Sequence, residues 1–162
     1  VGRTFIEPTQ TIRAFSVKLK HNANRILVDK KRVILIDDSI VRGTTSIKIV
    51  QMMREAGATE VHMRIAAPPI RHPDFYGIDT PVQDQLLAAN SSLEEMCDFI
   101  GADSLAFLTV DGLYKAMGHK KGRDNDNPAY TDHCFTGDYP TQLQDQKNDE
   151  KIQQLSLLSE RR

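Results

Sequence analysis

The sequence has few cysteines, little net charge and no long apolar run, and each shortage excludes a class of protein. Two cysteines, Cys97 and Cys134, are too few for a disulfide framework, which predicts a reducing, cytoplasmic setting. A formal net charge of −1 provides no basic field that would attract nucleic acid. No apolar run approaches the roughly 18 residues of a membrane span, and no signal-peptide pattern is present. We therefore predict neither nucleic-acid nor membrane partners.

The length of the chain predicts one domain. Its 162 residues are enough for one hydrophobic core, with loose ends around it. The sequence begins at Val1 rather than at Met, inside what looks like a strand or loop. We therefore interpret it as a fragment of a longer protein.

The most informative stretch covers residues 33–46 and reads VILIDDSIVRGTTS. Its first four residues are apolar, as in a strand that is covered on both faces. Asp37 and Asp38 follow at the carboxyl end of that strand, where open α/β sheets bind ligands. Small and hydroxyl-bearing residues then lead into a helical pattern, and helix starts of this kind bind anions through backbone N–H groups. The stretch predicts a ligand that carries hydroxyls and a phosphate, or a metal-bound phosphate.

Strands and helices alternate along the rest of the pattern, which predicts a parallel α/β sheet. Three strands are too few for a closed core of this class, so we expect more sheet before Val1. Residues 119–148 have little periodicity and are predicted to be irregular, and the tail is predicted to be a short helix or frayed. The predicted elements after residue 43 are a helix over 44–56, a strand over 61–67, a helix over 80–89 that begins with a capping box, a helix from the Ser92 capping box to Gly101, a strand over 104–110 and a short helix capped by Asp111.

An apolar strand that ends in two acids has several interpretations. It is typical of the magnesium-binding strand of an NTPase, but the phosphate loop GxxxxGK[ST] is lacking. It also resembles the acidic pocket of a receiver domain, or an exposed acid beside a helix cap. The repeated hydroxyls after the acids favour a phosphate cradle, because a cap needs only one of them. The basic residues 1–32 are either a solvated ribbon or a flap that closes over an anionic ligand.

Residues 33–46 resemble the phosphoribosylpyrophosphate motif of type I phosphoribosyltransferases and, more narrowly, that of the glutamine phosphoribosylpyrophosphate amidotransferases. Further segments resemble the same family in order along the chain: VGRTFIEPTQTIR, residues 17–24, AAPPIRHPDFYGIDTP, IGADSLAFLTVDGL and CFTGDYPT. The resemblance implies part of a type I phosphoribosyltransferase fold, a parallel sheet with helices on both faces. Residues 1–118 would form the carboxyl-terminal part of that domain, with a flexible loop and leader over 1–32, and residues 119–162 an irregular extension.

The resemblance also implies roles for individual residues. Asp37 and Asp38 would contact the ribose hydroxyls of phosphoribosylpyrophosphate, act in catalysis and hold Mg²⁺. Arg3 and Lys20, in the flexible loop, would bind the pyrophosphate. The remaining substrate-binding residues would cradle the 5′-phosphate: Ser39, Ile40, Val41, Arg42, Gly43, Thr44, Thr45 and Ser46.

The implied reaction is the first committed step of de novo purine synthesis. Ammonia, released from glutamine in an amino-terminal domain that this sequence lacks, would displace pyrophosphate and give 5-phosphoribosylamine. The family further implies a homo-oligomer and inhibition by purine nucleotides. Two alternatives remain open: a non-catalytic regulator of the same fold that senses phosphoribosylpyrophosphate, and a phosphoribosyltransferase that uses a base as nucleophile.

The chain departs from the family pattern at a cofactor position. Some members hold a [4Fe–4S] cluster, which needs four cysteines. One of these lies where this chain has Asp74, and two form a CxxC where it reads Thr131-Asp132-His133-Cys134. We therefore predict no iron–sulfur cluster and interpret Cys134 as an isolated thiol. The five histidines show no metal-ligand spacing in the sequence.

Overall fold

A computed structural model of the protein describes residues 23–141. The predicted pyrophosphate ligands Arg3 and Lys20 lie outside the described residues, and so does the tail from residue 142. The part of the predicted irregular extension beyond residue 141 therefore stays a prediction. No helix among the described residues combines the length and the apolar character that a membrane crossing requires.

A three-stranded parallel sheet forms the centre of the fold. Its strands are β1 (Arg32–Asp37), β2 (Glu60–Ile65) and β3 (Ser104–Phe107), which lie side by side in the order β1-β2-β3. The register pairs Asp37 with Ile65, and Ile65 with Phe107, so that the three carboxyl ends meet at one side of the sheet. This confirms the predicted parallel α/β class.

One face of the sheet carries the hydrophobic core. Val61 and Met63 of β2 are fully buried there, while Ile34 and Ile36 of β1 point to the other face and are 65% and 79% exposed. The strands therefore alternate between a covered and an open face in the part of the chain that the structure describes. The sequence predicted that both faces of β1 are covered. Within residues 23–141, only one face is covered.

Two longer helices cover the buried face. They are α2 (Thr44–Glu55) and α4 (Leu93–Ile100), which contact β2 and β3 respectively and also each other. The predicted capping box of α4 is confirmed, because Ser92 and Glu95 exchange side-chain to backbone hydrogen bonds. The remaining helices are short: α1 (Arg25–Val28), α3 (Leu87–Asn90), α5 (Val110–Ala116) and α6 (His133–Thr136).

The helix predicted over residues 80–89 is wrong in its first half. Only a 3₁₀ turn, Gln83–Gln85, forms there, and Leu86 is extended (φ −82°, ψ 116°) before α3 begins. The hydroxyl of Thr80 does not cap a helix, because it accepts a hydrogen bond from the backbone N–H of Asp74 at 2.6 Å. The hydroxyl oxygen on which the capping-box prediction depended thus accepts a hydrogen bond from the loop after β2 instead.

The cap predicted for α5 is also wrong. Thr109, not Asp111, is the N-cap, and its hydroxyl accepts the N–H of Gly112 at 2.9 Å. β3 accordingly ends at Phe107 rather than at residue 110. The carboxylate of Asp111 lies in the first turn instead and accepts the backbone N–H of Arg123 at 3.0 Å.

Candidate functional site

The two predicted acids lie at the carboxyl end of β1. Asp37 is the last residue of the strand, and its Oδ1 accepts the backbone N–H of Asp38 at 3.0 Å. Asp38 lies just beyond the strand, and its Oδ1 accepts the N–H of Ser39 at 2.6 Å. The carbonyl of Asp37 accepts the N–H of Ala66 at 2.9 Å, which ties this end of β1 to the end of β2. Both carboxylates are therefore held at the side of the sheet where ligands of α/β proteins bind.

The loop after the acids is anchored through Ile40. Its side chain is 1% exposed and belongs to the hydrophobic core. The side chain of Ile40 faces the core because burying an aliphatic side chain stabilises the fold, so the predicted contact of Ile40 with a ligand stays a prediction for its main chain. The neighbouring Val41 uses its carbonyl to accept the N–H of Leu87 at 2.9 Å. Ile40 can therefore contact a ligand only through its main chain, whereas the side chain of Val41 is half-buried.

Gly43 closes the loop and starts α2. Its φ of +75° lies in the left-handed region that favours glycine. A Cβ at this position would lie 2.8 Å from Cδ2 of Leu87 and 3.0 Å from Cε1 of Phe99, so the ends of these two side chains would have to move. The turn thus depends on glycine for two independent reasons.

The first turn of α2 presents backbone donors at the end of the loop. Gly43 is the N-cap residue and provides no side-chain acceptor to the helix. The first intrahelical bond there is made by the N–H of Ile47 to the carbonyl of Gly43 at 3.0 Å. The N–H groups of residues 44–46 come before it, where the helix dipole favours an anion. Thr44 is exposed, and Ser46 is 3% exposed.

Arg42 is held beside this turn by a residue that sequence reasoning missed. Oε1 of Gln85 accepts hydrogen bonds from both Nε and one terminal nitrogen of Arg42, at 3.1 and 2.9 Å. The two residues are 43 positions apart, so local sequence gives no signal for the pair. Gln85 thus orients the guanidinium of Arg42 at the turn that leads into α2.

Similar proteins share this region of sequence and structure. A search of family models found no match. An amidophosphoribosyltransferase from Rhizobium etli is 62% identical over 160 residues, which are 98% of this chain and 32% of that protein. The amidophosphoribosyltransferase of Bacillus subtilis is 54% identical, over 88% of this chain and 30% of the relative. Over the part that it spans, this chain belongs to the amidophosphoribosyltransferase family.

Solved structures agree with the sequence relatives. A glutamine phosphoribosylpyrophosphate amidotransferase from B. subtilis, complexed with ADP and GMP, matches with a TM-score of 0.71 and 54% identity over 88% of this chain and 31% of that one. Plant amidophosphoribosyltransferases that are chloroplastic also match, for example at 56% identity in Arabidopsis thaliana. The chain spans about a third of the length of its bacterial relatives. Relatives of this name do not favour the alternative of a non-catalytic sensor.

A second cluster lies where this sequence departs from the cysteine pattern of the cluster-binding family members. Asp74 in the loop after β2 and His133 in α6 form a buried pair, with Oδ1 and Nε2 2.7 Å apart. The thiol of Cys134 lies beside them. Burial raises the pKa of Cys134, and the charge of Asp74 raises it further. The sequence did not predict this grouping, because histidine spacing along the chain gives no sign of a partner 59 positions away. Asp74 and Cys134 both stand at positions where cluster-binding family members have cysteine.

A buried ion pair lies within the segment between α5 and α6, and a hydrogen bond links it to α5. The guanidinium of Arg123 donates to Asp132 at 2.6 and 3.2 Å, and their side chains are only 9% and 4% exposed. The hydroxyl of Tyr114 in α5 donates to the same carboxylate at 2.8 Å. Burial alone would raise the pKa of Asp132, but the hydrogen bond from Arg123 and then that from Tyr114 hold it below its usual range. Sequence reasoning treated this segment as irregular.

Proposed function

We propose that the chain forms the phosphoribosylpyrophosphate-binding part of an amidophosphoribosyltransferase. The reaction joins glutamine-derived ammonia to the substrate and yields 5-phosphoribosylamine, pyrophosphate and glutamate, in the first committed step of de novo purine synthesis. The observation that carries the proposal is the pair Asp37–Asp38 at the end of β1, followed directly by the glycine-capped N-terminus of α2. Similarity to amidophosphoribosyltransferases over 98% of the chain supports it.

The geometry fits the two ends of such a substrate. Carboxylates at the end of a strand accept hydrogen bonds from ribose hydroxyls. The N–H groups and hydroxyls at the start of α2 suit a 5′-phosphate, because both the donors and the helix dipole attract an anion. Arg42, oriented by Gln85, adds a charged donor at the same turn. We therefore assign the ribose to the acids and the phosphate to residues 39–46.

The carboxylates also fit Mg²⁺. Hard oxygen ligands suit this ion, which is commonly bound through one or two carboxylates together with substrate phosphates. Oδ1 of Asp38 already accepts the N–H of Ser39, which fixes the orientation of the group. When bound, Mg²⁺ would neutralise charge on the departing pyrophosphate. Asp37 and Asp38 are the residues that we expect to hold it.

The chain's own contribution to the reaction is binding and electrostatics. A C–N bond forms at the anomeric carbon as the C–O bond to pyrophosphate breaks, and positive charge grows on the ring. Carboxylates fixed beside the ribose stabilise that charge in place of water. Arg3 and Lys20 of the leader would close over the pyrophosphate and exclude water, which would otherwise hydrolyse the sugar.

Properties of the whole enzyme belong to the same proposal. Ammonia would come from a glutaminase domain elsewhere in the complete protein. Purine nucleotides would inhibit it, in line with the ADP and GMP in the B. subtilis structure. We also propose a homo-oligomer in the cytoplasm.

A pair of charge-matched variants in the complete gene product tests the site. Asp37→Asn should lower ammonia-dependent phosphoribosylamine formation by at least about 100-fold, because it removes a preorganised charge beside the reacting ring. Glu55→Gln makes the same charge change at the far end of α2, about 16 Å away along the helix, and should leave the rate unchanged. Equal rates for the wild type and Asp37→Asn would show that the assigned site is wrong. Calorimetric titration with phosphoribosylpyrophosphate and Mg²⁺ separates lost binding from lost turnover.

A further inference from the structure

Three side chains with metal-binding atoms meet where the loop after β2 packs against α6. Asp74, His133 and Cys134 each offer one ligand atom, and these atoms all lie within 4.8 Å of one another. The first two residues are buried and the third is half-buried. The cluster thus combines a carboxylate, an imidazole and a thiol in a place that bulk water scarcely reaches.

The carboxylate of Asp74 is fixed so that one oxygen faces the cluster. Its Oδ2 accepts the backbone N–H groups of Tyr76 and Ile78, at 2.9 and 2.7 Å. Its Oδ1 lies 2.7 Å from Nε2 of His133. Metal-binding carboxylates are commonly oriented in this way by hydrogen bonds from outside the ligand set.

The two ring nitrogens of His133 have different surroundings. Its Nδ1 is fully buried and has no hydrogen-bond partner among residues 23–141. Nearly all buried polar atoms in proteins have a partner, and Asp74 satisfies only the other ring nitrogen. The ring nitrogen that faces Asp74, and that would bind an ion between the two side chains, is therefore Nε2.

We propose that Asp74, His133 and Cys134 bind a single divalent cation of the zinc type. Sulfur and imidazole ligands select Zn²⁺ and similar ions over Mg²⁺ or Ca²⁺. The carboxylate and the thiolate together neutralise both charges of the ion, and the thiol proton leaves to solvent when the ion binds. One thiolate cannot hold a [4Fe–4S] cluster, which needs four.

The distances require only a small adjustment. Zinc bonds of about 2.0–2.3 Å in a tetrahedron place ligand atoms roughly 3.3–3.8 Å apart. The Asp74–His133 pair, now 2.7 Å apart, would open slightly, and the thiol of Cys134 would approach by about 1.5 Å at most.

Three protein ligands would leave the fourth tetrahedral position of the ion to a water molecule. Two rings pack against the imidazole of His133, Tyr76 edge to face and Tyr139 tilted by 31°, each with its centroid 5.0 Å away. The N–H groups of Arg71 and His72 donate to the carbonyl of Cys134 at 2.9 and 3.1 Å. An ion here would fasten the loop after β2 to α6.

Metal binding by the complete gene product tests the proposal. The metal-free protein should take up about one equivalent of Zn²⁺, and Co²⁺ should produce a thiolate charge-transfer band. Cys134→Ser should remove that band and weaken Zn²⁺ binding by more than about 100-fold, because even outer partners of a ligand contribute about 10–100-fold. Cys97→Ser is the matched control, since its thiol donates to the carbonyl of Ala102 instead, and it should keep the band.

A measurement on the wild type removes dependence on the variants' folding. Zn²⁺ should slow alkylation of Cys134, read by peptide mass spectrometry, and leave alkylation of Cys97 unchanged. An unchanged cobalt spectrum in Cys134→Ser would overturn the proposal, and so would unprotected Cys134 in the presence of Zn²⁺. Purified protein that carries four irons and four sulfides per chain would overturn it as well.

Discussion

Replacing Asp132 by Asn should destabilise the protein strongly, although no ligand role is assigned to that residue. The carboxylate is 4% exposed and accepts four hydrogen bonds: two from Arg123, one from Tyr114 at 2.8 Å and one from the hydroxyl of Thr136 at 3.1 Å. The substitution leaves a guanidinium that is only 9% exposed without its main counter-charge. An uncompensated buried charge costs more than the pair contributed.

The magnitude follows from what Arg123 retains. Removing one partner of a buried pair costs about 3–5 kcal/mol. Arg123 keeps a 2.6 Å contact with Asp138 and a 2.9 Å contact with Asn125, which place the cost near the lower limit, at about 3 kcal/mol. Thermal unfolding should then shift down by about 10 °C for a domain of this size.

Two variants calibrate the experiment. Asp138→Asn removes the other acid, which is 53% exposed, and should cost at most about 1 kcal/mol, as exposed pairs do. Tyr114→Phe removes one hydrogen bond to a charged group and should cost about 1.5–3 kcal/mol, mostly through that bond. Equal shifts for Asp132→Asn and Asp138→Asn in thermal denaturation at pH 7 would refute the assignment of the energy to burial.

The pH dependence has a defined sign. Because the folded protein holds the pKa of Asp132 below its usual value, the stabilisation is present above the unfolded pKa of about 4. It is lost as the pH falls through the lower folded pKa. The difference in unfolding free energy between wild type and Asp132→Asn should therefore shrink below about pH 4. A difference that stays constant from pH 7 to pH 3 would contradict this account.

Two further predictions concern the loop before α2. Gly43→Ala should destabilise the protein by more than the roughly 1–2 kcal/mol of left-handed strain, because its Cβ also meets Leu87. Gly118→Ala is the control, since its φ is +98° and nothing lies within 4 Å of its Cβ, so it should show the strain alone. Equal losses of stability in thermal denaturation would refute the steric argument. Gln85→Ala releases the side chain of Arg42 and should weaken phosphoribosylpyrophosphate binding several-fold in calorimetry, with little change in stability. Gln83→Ala is the control and should change neither binding nor stability. Equal affinities of the wild type and Gln85→Ala would show that Gln85 does not position the guanidinium.

The sequence predicted best those features that depend on neighbours along the chain. The apolar run before Asp37 gave β1, and the Ser92 capping box gave the start of α4, because both signals are local. The Thr80 capping box failed because Asp74 competes for the same hydroxyl through the folded loop. Periodicity has no information about such competition.

The polar contacts between distant segments could not be predicted for the same reason. Asp74 and His133 are 59 positions apart, and Arg42 and Gln85 are 43 apart, so each pair exists only once the sheet and loops are assembled. The segment before α6 lacks helix and strand patterns, yet it contains the buried Arg123–Asp132 pair. Irregular backbone in this protein is ordered by side-chain charge rather than by repeating hydrogen bonds.

The position of β1 has a practical consequence for anyone who shortens this polypeptide. Within residues 23–141 the strand pairs with β2 on one side only, and Ile34 and Ile36 lie bare on the open face of the sheet. A polypeptide trimmed to that range combines unpaired main-chain groups with exposed aliphatic surface, which is the usual template for aggregation. Shortened versions of the protein need a charged residue at position 34 or 36 to remain dispersed.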